Sequence, residues 1–345
     1  MSTARLFSRA VGLLSNLLGF KDGRQREPDP TDFTVRRILP AELEQAVRII
    51  LAPPGGHTEP EVIGDFIELA KQRQVDLTGI HVSERRGGKP GKFVAAALPV
   101  ISPGRTMLIL TPSAPQDKAA QAALRAVIDA LCEYGVARGV HLAQSLIDPT
   151  DVGLDAVFAA EKFDRMAELQ YLHVIPRAAA SPPEPPAGVR LIPYTEATHD
   201  LFGRAIIGSY EGSLDCPALN GLREVDDILA GHMASGTFDP SLWFALIDDQ
   251  SEPLGVLCLS ESMRGDAMEL VYLGLLPAAR GRSLGEFLMR HAIATASARG
   301  QERLSLAVDS RNTPALKLYY RHGMSRIGTK LALLRDLRVN KGGGG

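Results

Sequence analysis

The stretch that most constrains this fold covers residues 269–288, which read ELVYLGLLPAARGRSLGEFL. Its apolar first half predicts a strand, and a turn of small and basic residues at positions 280–285 leads directly into a predicted helix. The first backbone N–H groups of such a helix lack intrahelical partners, and the helix dipole adds partial positive charge there. Because these groups together bind anions such as a diphosphate, the stretch predicts a phosphate site.

Two arginines in this turn, Arg280 and Arg282, can add charge-assisted contacts to a phosphate ligand. The alternative interpretation is an ordinary strand-to-helix turn whose arginines are solvated. The turn matches neither the G-x-x-x-x-G-K-[ST] loop of nucleoside triphosphatases nor the dinucleotide pattern G-x-G-x-x-G.

A second informative stretch covers residues 304–324, LSLAVDSRNTPALKLYYRHGM. A predicted strand is followed by Asn312 or Thr313 as a helix cap, and Gly323 ends the helix. Tyr319 lies on a helix face that can point toward the strand ends. The alternative for Tyr319 is a half-buried core tyrosine.

The two stretches together resemble the GNAT superfamily of N-acyltransferases. The acetyl-CoA signature of that family, [QR]-x-x-G-x-[GA], falls on residues 280–285, and the later N-x-x-A-x-x-x-Y motif begins at Asn312. The resemblance covers residues 189–337. Ser283 departs from the pattern because it replaces the central glycine, where close approach of backbone to phosphate favours a residue without a Cβ.

The resemblance implies acetyl-CoA as co-substrate, with its pantetheine arm between two splayed parallel strands at residues 269–276 and 304–309. The backbone near Leu275 and Leu276 would pair with that arm, and an N–H group there would stabilise the developing oxyanion. The amides of residues 282–285 would hold the diphosphate. The implied cofactor-binding residues are Leu275, Leu276, Arg280, Gly281, Arg282, Ser283, Leu284, Gly285, Asn312 and Ala315.

Acyl transfer to an amine needs a base for the amine and an acid for the departing thiolate. By the resemblance, Tyr319 is the candidate acid and Glu269, at the start of the central strand, is the candidate base. Asp309 and Glu261 compete with Glu269 for the second role. The alternative for Glu269 is a solvated charge at a strand end.

The acceptor pocket is expected in the long loop at residues 210–223, YEGSLDCPALNGLR, which follows the first helices of this half. Four residues of this loop are predicted to bind the amine substrate: Tyr210, Glu211, Asp215 and Asn220. Cys216 is predicted to line the pocket rather than act as a nucleophile. The alternative is an ordered surface loop.

The rest of the chain predicts an α/β fold with a mixed sheet, in two tandem GNAT-like domains. The first domain spans residues 33–175 and the second spans residues 189–338. A Pro- and Ala-rich linker at 176–188 joins them. Residues 1–32 form an amphipathic and flexible segment, and residues 339–345 form a flexible tail. The same order of elements before and after the linker suggests an internal duplication.

The first domain has the same predicted order of strands and helices as the second, but it lacks the two motifs of the GNAT signature. Its turn at residues 111–118 contains no R-G-x-x-x-G, and residues 151–163 contain no N-x-x-A-x-x-x-Y. Asp117, next to the start of the following helix, would repel a phosphate. The segment therefore reads as a degenerate GNAT-like domain that walls the acceptor site. This layout resembles tandem acetyltransferases with one degenerate half, such as mycothiol synthase.

Composition bounds the partners and the compartment. The formal net charge of −2 gives no long-range attraction to nucleic acid. Three widely spaced cysteines favour a reducing, cytoplasmic location without disulfides, and no His or Cys spacing indicates a metal site. No apolar run is long enough to span a membrane, although residues 1–20 are amphipathic enough to contact a membrane surface. A monomer and a homodimer both fit.

Three functions remain open. The first is acetyl transfer from acetyl-CoA to a primary amine of a small molecule, by direct attack in a ternary complex. The second is a non-catalytic acyl-CoA-binding sensor or scaffold. The third is acetylation of a protein or peptide, for which an open groove would be expected in place of a closed polar pocket.

Overall fold

The structure is a computed structural model that describes residues 27–53, 56–176, 182–262 and 266–338. The predicted amphipathic segment at 1–20 and the tail at 339–345 lie outside the described residues, as do residues 177–181 of the predicted linker. No helix in the described ranges is long and apolar enough to cross a membrane.

The described strands form one mixed sheet in the order β1-β2-β3-β4-β5-β12-β6-β11-β10-β9-β8-β7. The strands are β1 (Phe33–Arg37), β2 (His81–Arg85), β3 (Phe93–Ser102), β4 (Thr106–Leu110), β5 (Leu142–Ile147), β6 (Asp164–Val174), β7 (Val189–Pro193), β8 (Trp243–Asp248), β9 (Pro253–Glu261), β10 (Ala267–Leu275), β11 (Arg303–Asp309) and β12 (Ser325–Asp336).

Helices connect these strands. They are α1 (Leu43–Ile50), α2 (Pro60–Gln72), α3 (Lys118–Val136), α4 (Val152–Ala160), α5 (His199–Tyr210), α6 (Val225–Met233), α7 (Leu284–Ala298) and α8 (Thr313–Arg321). The mixed α/β fold and the tandem order of elements are therefore confirmed. Helices α1 and α2 were not predicted, and a short 3-10 turn at Leu77–Gly79 precedes β2.

The sheet order is symmetric about its centre, and the last strand of each half lies in the other half. Strand β12 pairs with β5 on one side and with β6 on the other, and β6 in turn pairs with β11. Each half therefore completes the sheet of its partner half. Because β6 and β12 are antiparallel over nine residue pairs, the two halves share one continuous hydrogen-bonded sheet.

The hydrophobic cores follow the same exchange. The core of the second half contains Leu172 from β6, and the core around α3 in the first half contains Leu333 from β12 and Leu337 just after it. A small hydrophobic cluster formed by residues of β5, β6 and β12 packs against Cys216, Leu219 and Leu222. This cluster anchors the loop at residues 211–224 to the shared centre of the sheet.

Candidate active site

The central feature of the site is a gap between two parallel strands. Strands β10 and β11 pair only at Ala267–Arg303, Met268–Leu304 and Glu269–Ser305. Beyond Glu269 both strands continue without pairing to each other, and a cavity of about 860 Å³ opens between them. Its walls include β10 from Leu270 to Leu275, and Ala307 and Val308 on β11. The gap leaves backbone N–H and C=O groups for a ligand to pair with.

A β-bulge lies where the strands part. The pairing of β10 with β9 shifts register between Leu270 and Tyr272, which leaves Val271 as an extra residue. A bulge bends its strand and increases the local twist. The bulge therefore directs the end of β10 away from β11, and it returns Tyr272 to the same sheet face as Glu269.

The N-terminus of α7 lies at the open end of this gap. Ser283 is the N-cap residue, with φ 59° and ψ 12°, and its side chain makes no capping hydrogen bond. Gly281 also has a positive φ, 72°. These left-handed residues turn the chain so that Gly281, Ser283, Leu284 and Gly285 line the cavity. The first amides of α7 thus face the space where a diphosphate was predicted.

Arg280 lines the cavity, and its guanidinium is hydrogen-bonded to the backbone of the chain itself. Its guanidinium donates to the backbone carbonyls of Leu275 at 3.1 Å, Ser209 at 3.0 Å and Glu211 at 2.7 Å. These bonds tie the turn before α7 to the end of α5. Arg282 is exposed and does not line the cavity. Arg280 thus positions backbone in this structure, and its predicted contact with a phosphate stays a prediction.

The second wall of the cavity comes from α8 and the loop before it. Asn312 caps α8 by accepting a hydrogen bond from the amide of Ala315 at 3.3 Å, which confirms its predicted capping role. Tyr319 is 6% exposed and lines the same cavity. Burial, and then the nearby Asp215 carboxyl, raise the pKa of Tyr319 well above its usual value. Its phenol therefore stays protonated at neutral pH.

Glu269 lies in a separate cleft of about 720 Å³ whose walls come from both halves of the chain. Its side chain is accessible to water, yet the walls of the cleft remove much of its hydration, and burial raises the pKa of its carboxyl. The same carboxylate adds to the effect of burial in raising the pKa of Tyr171 on β6. No described Lys or Arg forms an ion pair with Glu269.

The two competing bases are already engaged. Glu261 forms an ion pair with Arg299 at 3.2 Å. Asp309 is fully buried, and its carboxylate accepts from Arg311 and from the amide of Cys216. Among the three candidates, Glu269 is the carboxylate without a cationic partner in the described structure.

The structure brings some of the predicted residues to the cavity and leaves others away from it. Asp215 lines the cavity, and its carboxylate accepts from the amide of Asp309 at 3.1 Å. Leu275 also lines it, but the amide of Leu276 donates to the carbonyl of Leu254 and is thus used within the sheet. Glu211 and Asn220 are exposed and line none of the cavities described here, so they are not brought to the site.

Three aromatic rings pack together, and only Tyr210 among them was predicted from the sequence as a site residue. The ring of Tyr272 stacks on His232 at 5.2 Å between centroids and meets Tyr210 edge-on at 6.0 Å. The Tyr272 hydroxyl also lies 2.7 Å from Ser209 Oγ. Tyr272 and His232 were missed because each stands in an otherwise ordinary apolar strand or helix.

The equivalent place in the first half is closed by its own side chains. Asp117 caps α3 by accepting from the amide of Ala120 at 3.0 Å, and Asp151 accepts from the amide of Ala114 at 3.0 Å. The Ser145 hydroxyl donates to the carbonyl of Ile109 across the gap between β4 and β5. The backbone groups that α7 leaves free are therefore satisfied here by carboxylates of the chain itself.

Comparison with known families agrees with this site. Residues 218–324 match the profile of the Acetyltransferase (GNAT) family. These residues therefore form a GNAT-like segment within the carboxy-terminal half of this chain.

Three relatives show the extent of the similarity. The chain is 35% identical over 79 residues to "Mycothiol acetyltransferase" of Jonesia denitrificans, 32% over 89 residues to "5-NmdU N-acetyltransferase" of Pseudomonas phage PaMx11, and 31% over 100 residues to "Streptothricin acetyltransferase" of Streptomyces lavendulae. The matched segments cover 23%, 26% and 29% of this chain. They span 25%, 61% and 53% of the respective relatives.

Two solved structures share the fold across most of the chain. A GCN5-related N-acetyltransferase from Sphaerobacter thermophilus covers 90% of this chain and is itself covered to 97%, with a TM-score of 0.58 and 16% identity. A tandem GNAT protein from the clavulanic acid biosynthesis pathway covers 91% of this chain and is covered to 100%, with a TM-score of 0.51 and 12% identity. The whole described architecture is thus that of a tandem GNAT fold.

Proposed function

We propose that this protein transfers the acetyl group of acetyl-CoA to a primary amine of a small molecule. The main evidence is that two sets of backbone groups, one on the parted strands and one at the start of α7, face the same cavity. Strands β10 and β11 stop pairing after Glu269 and Ser305, and the uncapped start of α7 faces the resulting cavity.

The cavity fits the chemical parts of acetyl-CoA. The unpaired edge of β10 up to Leu275 suits the amide groups of a pantetheine arm, which pair as a strand would. The amides at the start of α7, with Gly281 and Gly285 leaving space for close approach, suit the diphosphate. Acetyl-CoA bound there supplies an acetyl thioester, which the amine nitrogen attacks as the carbon–sulfur bond breaks.

Tyr319 is the proposed general acid. Its hydroxyl belongs to the cavity wall, and its raised pKa keeps the proton available until the sulfur of coenzyme A departs as a thiolate. Asp215, on the same wall, favours the protonated phenol by its negative charge.

Glu269 is the proposed base for the amine. It stands at the last paired position of β10, beside the start of the gap, and it shares a sheet face with Tyr272 of the cavity wall. The pKa of its carboxyl is raised toward neutrality, which makes the carboxylate a better proton acceptor than a fully solvated one. It takes the amine proton directly or through water.

Two observations support a small acceptor. The Glu269 cleft is walled by residues of both halves, including Tyr134 and Arg138 from the first half, which favours a closed pocket over an open groove. Two of the matched relatives are named for the acetylation of mycothiol and of streptothricin. We further propose that the first half is a degenerate domain that completes this pocket, and that the three free cysteines reflect a reducing, cytoplasmic compartment.

The test uses the full chain. Calorimetric titration with acetyl-CoA should show one saturable site, and a panel of primary amines should release coenzyme A thiol only when an acceptor is present. Binding without thiol release by any amine would favour the non-catalytic alternative. Absence of binding would reject the proposal.

A further inference from the structure

A third cavity, of about 250 Å³, lies between the two halves beside the cleft that contains Glu269. Its walls come from the turn between β3 and β4, from β5 and β12, and from α6 with the loop before it. The lining residues that matter here are Ser102, Thr106, Gln144, Arg223 and His232. Arg223 is the cation among the lining residues, and the lining contains no carboxylate.

Arg223 is held in this cavity with few partners. Its Nη2 donates to the carbonyl of Asp227 at 2.5 Å, while its Nε is buried without a hydrogen-bond partner. The carboxylate of Asp227 is itself paired with Arg105 at 3.4 Å. Burial lowers the pKa of the Arg223 guanidinium, the direction expected for a cation that has lost water. A half-buried cation whose buried Nε has no hydrogen-bond partner favours a bound anion.

The space for the guanidinium is built by two glycines, one from each half. A Cβ at Gly104, in the β3–β4 turn, would come within 2.7 Å of Arg223 Nη2 and would collide with the Asp227 carbonyl. A Cβ at Gly231, on α6, would come within 2.5 Å of the same nitrogen. Any larger residue at either position would displace the guanidinium, so the two halves together hold it in place.

His232 connects this cavity to the reaction site. Its Nε2 is buried without a hydrogen-bond partner, and burial followed by the charge of Arg223 lowers its pKa to about 4, so the ring is neutral at pH 7. One face of that ring stacks on Tyr272, which lines the acetyl-CoA cavity. The 250 Å³ cavity also shares Ser102, Pro103 and Ala234 with the cleft that holds Glu269.

We propose that the acceptor amine carries a carboxylate, and that Arg223 binds this carboxylate in the cavity between the halves while the amine lies near Glu269. The proposal rests on the acetyltransferase function given above and names its substrate class. A planar guanidinium pairs with a carboxylate through two parallel hydrogen bonds. One guanidinium balances one negative charge, whereas a phosphate dianion would leave a net charge in the cavity.

The test compares amino acids with their carboxamides, in the presence of coenzyme A. Glycine, β-alanine and glutamate should raise the melting temperature of the full chain, and glycinamide, β-alaninamide and glutamine α-amide should raise it less. Arg223→Met should weaken acid binding roughly 10- to 100-fold, because a charge-assisted contact is lost. Arg204→Met, which removes an exposed arginine of α5 that pairs with Glu252 away from the cavity, should keep the preference for acids.

The proposal would be overturned if acids and amides stabilised the wild-type chain equally, or if neither stabilised it. It would also be overturned if the Arg223→Met variant still preferred acids. If Arg223→Met does not fold, the wild-type comparison decides alone. Titration of each variant with acetyl-CoA separates this proposal from the general one. If the wild-type chain does not bind acetyl-CoA, the acetyltransferase function is rejected. If it binds acetyl-CoA but shows no preference for acids over amides, only the carboxylate site is rejected.

Discussion

Glu269 and Ser305 are the last residues that pair between β10 and β11, and the gap that defines the site begins immediately after them. Glu269 stands at that boundary, and its carboxyl, whose pKa is raised by burial, lies in the cleft beside one end of the gap. The uncapped start of α7 lies at the other end. Glu269, the start of α7 and the cavity wall between them can each be altered by a single substitution.

Filling the gap should weaken acetyl-CoA binding without unfolding the protein. Ala307 is exposed, stands on β11 and lines the cavity, so Ala307→Leu adds volume where a pantetheine arm would lie. We expect the affinity for acetyl-CoA to fall by about 10-fold or more, or about 1.4 kcal/mol. Because surface substitutions change stability by about 0.5 kcal/mol or less, the urea midpoint should hardly move.

Ala278→Leu is the matched control for this change. Ala278 is also exposed, but it lies in the turn before α7 and does not line the cavity. Its variant should bind acetyl-CoA as the wild type does. Equal affinities for the Ala307 and Ala278 variants, measured by calorimetry, would contradict the placement of the cofactor.

Replacing Ser283 by glycine should stabilise the protein. Ser283 has a left-handed backbone at φ 59°, a conformation that costs an L-residue about 1 kcal/mol relative to glycine. Ser283→Gly should therefore raise the free energy of unfolding by about that amount. Ser283→Ala should leave it almost unchanged, since the Ser283 side chain makes no capping bond. A destabilised glycine variant in urea unfolding would refute this account of the turn.

Tyr319→Phe should lower turnover while the affinity for acetyl-CoA is retained. Loss of a general acid typically costs about 100-fold or more in kcat. The adjacent Tyr320 provides a control, because it is 46% exposed and its hydroxyl donates to Gln170 at 2.9 Å, away from the cavity lining. Thiol-release kinetics in which both phenylalanine variants behave alike would remove Tyr319 from catalysis.

The pH profile should report Glu269. Burial raises the pKa of this carboxyl, so the basic form appears at a higher pH than for a solvated glutamate. As pH falls through that raised pKa, the base is protonated and kcat/KM should decline. Glu269→Gln should lower the rate and remove this acidic limb. Glu261→Gln, which breaks an ion pair with Arg299, should retain the limb, and the opposite pattern would reassign the base.

The two arginines of the turn should differ in what they support. Arg280 donates to three backbone carbonyls, so Arg280→Met should destabilise the fold by about 2 kcal/mol. Arg282 is exposed, and Arg282→Met should leave stability unchanged while weakening acetyl-CoA binding modestly, by about 0.5 kcal/mol at low salt. Thermal unfolding and titrations at two salt concentrations separate these effects. A stable Arg280→Met variant would contradict the positioning role.

Much of the secondary structure of the second half could be predicted from local sequence patterns. The alternation from apolar strands to the turn at residues 280–285 predicted β10 and α7, and the capping role of Asn312 predicted the start of α8. In the first half, the sequence placed Asp117 next to the start of a helix, and Asp117 caps that helix in the structure. These features depend on neighbours within a few positions in the chain.

The exchange of β6 and β12 was not readable from the sequence, because both halves have the same element order and either pairing satisfies the alternation of apolar residues. The direction of the Arg280 side chain depends on carbonyls at Ser209 and Glu211, some 70 positions away. The Arg223 cavity depends in the same way on Gly104 and Gly231, which only the folded halves bring together. Contacts of this range require the tertiary structure.

Amide hydrogen exchange on the full chain, with and without acetyl-CoA, shows whether the cofactor occupies the gap between β10 and β11 and the start of α7. The account predicts slower exchange at residues 270–275 and 281–286, where backbone groups gain partners in the cofactor, and no change at residues 109–117 of the first half. Unchanged exchange in both stretches at saturating acetyl-CoA, or protection confined to the first half, would contradict it.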